Sequence, residues 1–144
     1  MKTFLLVNLL MIIASAFTGY AEELGKVVQK DGITYQQFFY KSGKLKSEVP
    51  IVNKKAHGAC YGWYESGEFH YIVSFVEGNI KNIISFDKNG KIIKISNHGN
   101  GNLISDIYYY PTGIIKSAYN MQIGGKKGQI NQRFNENGEV YFEK

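Results

Sequence analysis

The stretch "SFDKNGKIIK", Ser85 to Lys94, decides the fold. An aromatic stands four residues before a glycine, and an aliphatic side chain two residues after it. A hairpin with the three-residue loop Lys88-Asn89-Gly90 explains both spacings. Such a loop is a type I turn followed by a left-handed residue, and glycine suits that last position because it has no Cβ to clash. Asp87 then faces Lys91, and Phe86 pairs with Ile92 across the strands. A two-residue loop would shift the register and send the two apolar side chains to opposite faces.

The same grammar recurs along the chain. Ser42-Gly43, Ser66-Gly67, Asn89-Gly90, Thr112-Gly113 and Asn137-Gly138 follow one another at intervals of 23 to 25 residues. The aromatic column is Phe39, Trp63, Phe86, Tyr109 and Phe134, and the aliphatic or aromatic partners are Leu45, Phe69, Ile92, Ile115 and Val140. Both columns are filled at every repeat in a chain that is 15% aromatic, which is a repeat architecture and not chance. Cross-strand pairs of this kind stabilise a sheet by about 0.2–1 kcal/mol each. The column is therefore expected to form the repeat core. In "YYYPTGIIKS", Tyr108 to Ser117, Tyr109 takes the inward place, and Tyr108 and Tyr110 flank it on the other face because side chains alternate.

Polar, glycine-bearing connections separate the hairpins: "VNKKAHG" from Val52, "VEGN" from Val76, "NHGNGN" from Asn97 and "IGGKKG" from Ile123. They read as return turns. Asp31-Gly32 sits between two β-rich runs and marks an opening hairpin. Nothing after Ala21 sustains a 3.6-residue apolar period. The expected fold is all-β: a row of antiparallel β-hairpin repeats of about 23–25 residues forming an extended twisted sheet. It is one domain, over residues 22–144.

The first residues read as an export signal. Lys2 precedes the apolar run "FLLVNLLMIIASAF", and Gly19 and Ala21 are small residues at the −3 and −1 positions of a cleavage site after Ala21. A second possible site follows Ala16. Residues 1–21 are thus expected to be removed, and the product to reside in the periplasm, at the cell surface or in the medium. The apolar run is shorter than the roughly 20 residues a spanning helix needs. The formal charge of +5 is mild and points to no nucleic acid. Cys60 is the only cysteine, so no intrachain disulfide can form.

"FFYKSGKLKSEVP", "YGWYESGEF", "SFDKNGKIIK" and "YYYPTGIIKS" resemble the tyrosine-rich "YYxNGKLKSE" repeats of MORN-repeat variant proteins. The group most similar is the bacterial one described as YwqK-family antitoxin-like, and "KVVQKDGITY" looks like the start of those proteins. The resemblance covers Val27 to Lys144. It implies β-hairpin repeats, contact with a protein or a membrane, and no enzyme activity. The antitoxin description implies neutralising a partner, such as a toxin, by binding it. An export signal suits a periplasmic or surface-exposed binding protein better than a cytosolic antitoxin.

Chemistry-bearing residues form no constellation in the sequence. His57-x-x-Cys60 is the nearest approach to a metal pair, and two ligands do not make a zinc site. Cys60 with His57 or His70 lacks an orienting signature for nucleophilic catalysis. His98 lies beside Gly99 in a return turn. Glu65 and Glu68 flank a hairpin tip, where charges are solvated. "GGKKG", Gly124 to Gly128, is not a phosphate loop, since no helix pattern follows it. No catalytic residue, cofactor or metal is therefore expected.

Two surface features stand as binding candidates. Tyr40, Tyr64 and Tyr110 follow the column by one residue, and exposed tyrosines suit protein recognition. Lys44, Lys46, Lys91 and Lys94 would line the hairpin shoulders as a basic stripe able to attract anionic lipid or polysaccharide. The function expected is a non-enzymatic exported binding protein that contacts another protein, antitoxin- or immunity-like. The alternative is an envelope protein that binds anionic lipid or polysaccharide through the stripe.

Overall fold

The computed structural model describes residues 25–123 and 126–141, and only the backbone of those between 121 and 131. The expected export signal lies outside the described residues. Strands β1 (Lys26–Lys30), β2 (Ile33–Phe39), β3 (Leu45–Val52), β4 (Lys55–Ala56), β5 (Gly58–Trp63) and β6 (Phe69–Val76) make the first half. Strands β7 (Asn79–Phe86), β8 (Ile92–Gly99), β9 (Asn102–Tyr109), β10 (Ile115–Ile123), β11 (Lys126–Phe134) and β12 (Val140–Tyr141) make the second. All are antiparallel to their neighbours, in one open twisted sheet whose spatial order is the chain order. Only β4 leaves that path, pairing with β3 alone. The described residues contain no helix, so none crosses a membrane as one.

Every expected tip pair is present: Phe39 with Leu45, Trp63 with Phe69, Phe86 with Ile92, Tyr109 with Ile115, and Phe134 with Val140. The loop geometry is the expected one too. Asp87 N–H donates to the Lys91 carbonyl at 2.8 Å, and Gly90 N–H to the Asp87 carbonyl at 3.0 Å. Gly90 holds φ at 77°, and the equivalent glycines of the other four tips are also positive. Just beyond four of the tips the register slips by one residue, at Lys46, His70, Ile93 and Lys116. These bulges sharpen the local twist.

At the other side of the sheet the turns are two residues long. Asp31-Gly32, Asn53-Lys54, Glu77-Gly78 and Asn100-Gly101 all have both φ angles positive, the mirror-image turn that matches strand twist. In the stretch from Ile123 to Gly128, Ile123 pairs with Lys126 around two residues outside the described set. Pro50 breaks the ladder between β3 and its next neighbour, since it has no N–H to donate. Its carbonyl accepts from His57 N–H at 3.0 Å, and the pairing resumes on either side through β4 and β5.

Burial corrects the expected core. Phe39, Trp63, Phe86, Tyr109 and Phe134 are all only half-buried. The buried apolar cluster is Val49, Ala56, Cys60, Val73, Phe75 and Ile83, with Phe38, Ile51, Tyr71 and Ile80 packed on it. The registers put Val49, Cys60, Val73 and Ile83 on the face opposite Tyr61, Ile72 and Ile84. That face is the inner one. Alternation tells which residues share a face; it is silent on which face turns inward. The aromatic column also occupies the last rung before the tips, where fewer neighbours can cover it. Gly62 shows how the inner face closes: the Tyr71 ring lies across it, with atoms 2.2 to 2.6 Å from where a Cβ would stand.

Candidate functional site

The three candidate tyrosines tie one repeat to the next. Tyr40 hydroxyl donates to the Trp63 carbonyl at 2.6 Å, Tyr64 to Phe86 at 2.7 Å and Tyr110 to Phe134 at 2.9 Å. Each ring is also covered by its bulged residue. Lys46 lies over Tyr40 at 5.6 Å, Lys116 over Tyr110 at 5.6 Å, and His70 stacks on Tyr64 at 4.2 Å. All three tyrosines are half-buried. Burial first, then the Asp87 carboxylate, pushes the Tyr64 phenol above its ordinary range, which keeps the donating proton in place. The sequence interrupts this column with Asp87 and Asn135, and the structure gives the reason. Asp87 Oδ1 accepts from the N–H groups of Asn89 and Lys91 at 2.8 and 2.9 Å, and Asn135 Oδ1 does the same for Asn137 and Glu139. These turns cap themselves with a short polar side chain.

The four candidate lysines are engaged as well. Lys44 Nζ donates to the Glu65 carbonyl at 2.9 Å and Lys91 Nζ to the Pro111 carbonyl at 2.6 Å, both in the following tip. Lys46 covers Tyr40. Lys94 pairs with Asp106 Oδ2 at 2.8 Å and lies over the Tyr108 ring at 4.9 Å. The lysines are thus components of the repeat-to-repeat framework. Sequence reasoning placed tyrosines and lysines on the shoulders and could not see that the next repeat's carbonyls lie within their reach.

What the outer face does expose is the partner column. Phe69 is 43% exposed, Ile92 38%, Ile115 37% and Val140 48%, with Tyr61 at 37% beside them. Tyr61, Trp63 and Phe69 form a ring cluster with centroids 5.9 to 6.2 Å apart, and Phe69 reaches Phe86 at 6.3 Å. The stripe follows the tips from β5 to β12. The signal for it was legible as the five-fold column, but it read as core.

Reactive groups are dispersed. Cys60 is buried, and burial first, then the Glu48 charge, pushes its thiol up to about 12. His57 Nδ1 accepts from the Glu77 N–H at 3.4 Å. Burial lowers His70. No group of three His, Cys, Asp or Glu side chains able to hold a metal occurs among the described residues.

No protein-family model and no curated protein matches the sequence. Among solved structures, a TarM variant from S. aureus in complex with Fondaparinux, alpha-GlcNAc-glycerol and UDP matches with a TM-score of 0.53 and 10% identity, over 85% of this chain and 23% of that one. Two further matches have a TM-score of 0.36. Accessory secretory proteins 1, 2 and 3 of Streptococcus pneumoniae match over 81% of this chain and 19% of that one, at 16% identity. The GtfA/B complex bound to UDP and GlcNAc matches over 88% and 25%, at 5% identity. This chain therefore spans about a quarter or less of the length of those proteins. At such identities the first likeness is one of fold: the extended antiparallel sheet.

Proposed function

We propose that the chain is a non-enzymatic binding protein that contacts another protein through the outer face of its hairpin sheet. The observation that carries this reading is the exposed stripe of Tyr61, Phe69, Ile92, Ile115 and Val140 along the tips. Scattered exposed apolar residues mean little, but a contiguous row rimmed by polar tips is the composition of an interaction surface. Binding energy at protein contacts concentrates in a few residues, among which tyrosine is enriched, and Tyr61 is the stripe's member of that kind. Tyr40, Tyr64 and Tyr110 support the stripe by holding successive repeats in register. The resemblance to MORN-repeat variant proteins of the antitoxin-like kind agrees with a binding role. With residues 1–21 read as an export signal, the place of action is the periplasm, the cell surface or the medium, and a toxin is one partner of the required class.

The competing reading is attachment to anionic lipid or polysaccharide through Lys44, Lys46, Lys91 and Lys94. Their contacts with carbonyls, a tyrosine ring and Asp106 favour the apolar stripe over the basic one. The test compares two variants in capture from an envelope extract of the native host. Phe69→Ser with Ile92→Ser and Ile115→Ser should remove the protein that the unmodified chain retains, at any salt. Replacing the four lysines with Gln should leave it bound. Retention by the stripe variant, together with salt-sensitive binding of the unmodified chain to anionic vesicles, would establish the competing reading instead.

A further inference from the structure

The sheet is open, and its ends differ. Among the described residues β12 ends one side with Val140–Tyr141, and β1 ends the other with Lys26–Lys30, paired to β2 alone. β1 carries neither proline nor bulge, two of the usual guards of an edge. Its register fixes what the edge offers. Lys30 and Ile33 flank the two-residue turn Asp31-Gly32, so they form a hydrogen-bonded pair, and such pairs alternate from there. Lys26, Val28 and Lys30 therefore bond to β2, while Val27 and Gln29 turn their N–H and C=O groups towards the open side. Val27 is 61% exposed, more than any other large apolar side chain among the described residues. It ends an inner-face rung: Val27 stands opposite Gln36 and Gln36 opposite Val49, and the buried Cys60, Val73 and Ile83 continue it.

An edge of this kind accepts a further strand. β12 of another copy does not suit it. β1 and β12 both run away from the hairpin tips, so a head-to-tail join would set them parallel in a sheet whose every pairing is antiparallel. Two β1 strands related by a two-fold axis are antiparallel, and their registers can be compared. Centring on Val28 sets Lys26 against the second copy's Lys30, with like charges directly opposed. Centring on Gln29 sets Val27 against Asp31, which has left the strand with a φ of 50°. Centring on Val27 sets Val27 against Val27, Gln29 against Gly25 and Lys26 against Val28. That register opposes no charges, and it uses the outward backbone groups of Gly25, Val27 and Gln29 together. Lys30 keeps its own partner, Glu48.

We propose that two copies of this chain join edge to edge through β1, antiparallel about Val27, into one continuous sheet. The contact is self-complementary and closed, so assembly stops at a dimer. It covers Val27 and lets the inner-face rung run from one copy into the other. Directly opposed residues share a face, so both inner faces lie on one side of the joined sheet and both protein-contact stripes on the other. The two Lys26 side chains become diagonal neighbours, about 7–8 Å apart. Salt screens that repulsion over about 8 Å at physiological ionic strength, so association is held or strengthened as salt rises.

Sedimentation velocity of the purified protein should show a monomer–dimer equilibrium that salt does not weaken. Val27→Pro should weaken dimerisation at least tenfold. It removes an N–H that faces away from β2, where an edge strand tolerates proline, so the far-ultraviolet spectrum should be unaltered. Val27→Cys, oxidised with copper phenanthroline, should yield a disulfide-linked dimer, because opposed residues of a hydrogen-bonded pair stand about 5.5 Å apart at Cα. Gln29→Cys should not, since in this register the two copies of that residue lie about 13 Å apart along the strands. Cys60 is buried and does not compete. The cysteine variants decide the matter if Val27→Pro disturbs folding. The proposal is overturned by a monomer at every concentration up to about 1 mM, by a dimer that Val27→Pro leaves intact, or by cross-linking that is stronger at Gln29→Cys than at Val27→Cys. It is overturned too by a dimer that Phe69→Ser abolishes, which would place self-association on the stripe and leave β1 without a role in it.

Discussion

Replacing Gly62 with Ala should destabilise the protein, although alanine is the easier strand residue. Glycine inside a strand ordinarily costs about 0.5–1 kcal/mol relative to Ala, because more backbone freedom is lost on folding. Here the added methyl would stand 2.2 Å from Cζ of Tyr71, 2.4 Å from Cε1 and 2.6 Å from Cε2. Carbon atoms rest at about 3.5–4.0 Å, so the ring must lift by more than an ångström. Tyr71 is packed against the buried cluster around Cys60 and Val73, so it cannot rise without disturbing that cluster. Overpacking of this kind costs about 1–3 kcal/mol. Net destabilisation of about 1–2 kcal/mol is expected after the alanine gain is subtracted. The sign should reverse once the ring is gone: in a Tyr71→Ala background, Gly62→Ala should stabilise by about 0.5–1 kcal/mol. The coupling between the two sites is then about 2 kcal/mol, well above the few tenths seen for independent sites. Urea unfolding of the four proteins, followed by Trp63 fluorescence and circular dichroism, measures it. A coupling within 0.5 kcal/mol of zero, or stabilisation by Gly62→Ala alone, would refute the inner-face packing described above.

Tyr40→Phe keeps the ring and removes only the hydroxyl that donates to the Trp63 carbonyl, so a loss of about 1 kcal/mol is expected in the same assay. An unchanged midpoint would mean that this strut does not hold the repeats together. Cys60 should resist thiol-modifying reagents until the chain unfolds, since its thiol is raised from an ordinary 9.0 to about 12 by burial first and the Glu48 charge second. A raised acid keeps its proton in the folded state after the unfolded state has lost it. Stability from this group is therefore full below pH 9.0 and falls towards pH 12, by about 1.4 kcal/mol per pH unit. Cys60→Ala should flatten that alkaline slope in unfolding measurements across the window.

The sequence alone determined the repeat and its register. An aromatic, a glycine and an apolar residue at fixed spacing admit one loop length, and Phe86 opposite Ile92 follows from local chain geometry. Asp31-Gly32 and Asn100-Gly101 likewise announced their turns, because few residue pairs tolerate two successive positive φ angles. Asn53-Lys54 has the same conformation with no glycine, and only its neighbours on the sheet hold it there. The tertiary structure decided everything that depends on a neighbouring hairpin. It turned the Cys60 and Val73 face inward and left Phe69 and Val140 exposed. It brought the carbonyls of Trp63, Phe86 and Phe134 beneath the hydroxyls of Tyr40, Tyr64 and Tyr110. It also placed Asp106 beside Lys94 and Tyr108 on one polar stretch of the inner face. Period-two alternation fixes which side chains lie together, whereas the hand and depth of the sheet's curl fix which of them lose water, and that curl is a property of all the strands at once.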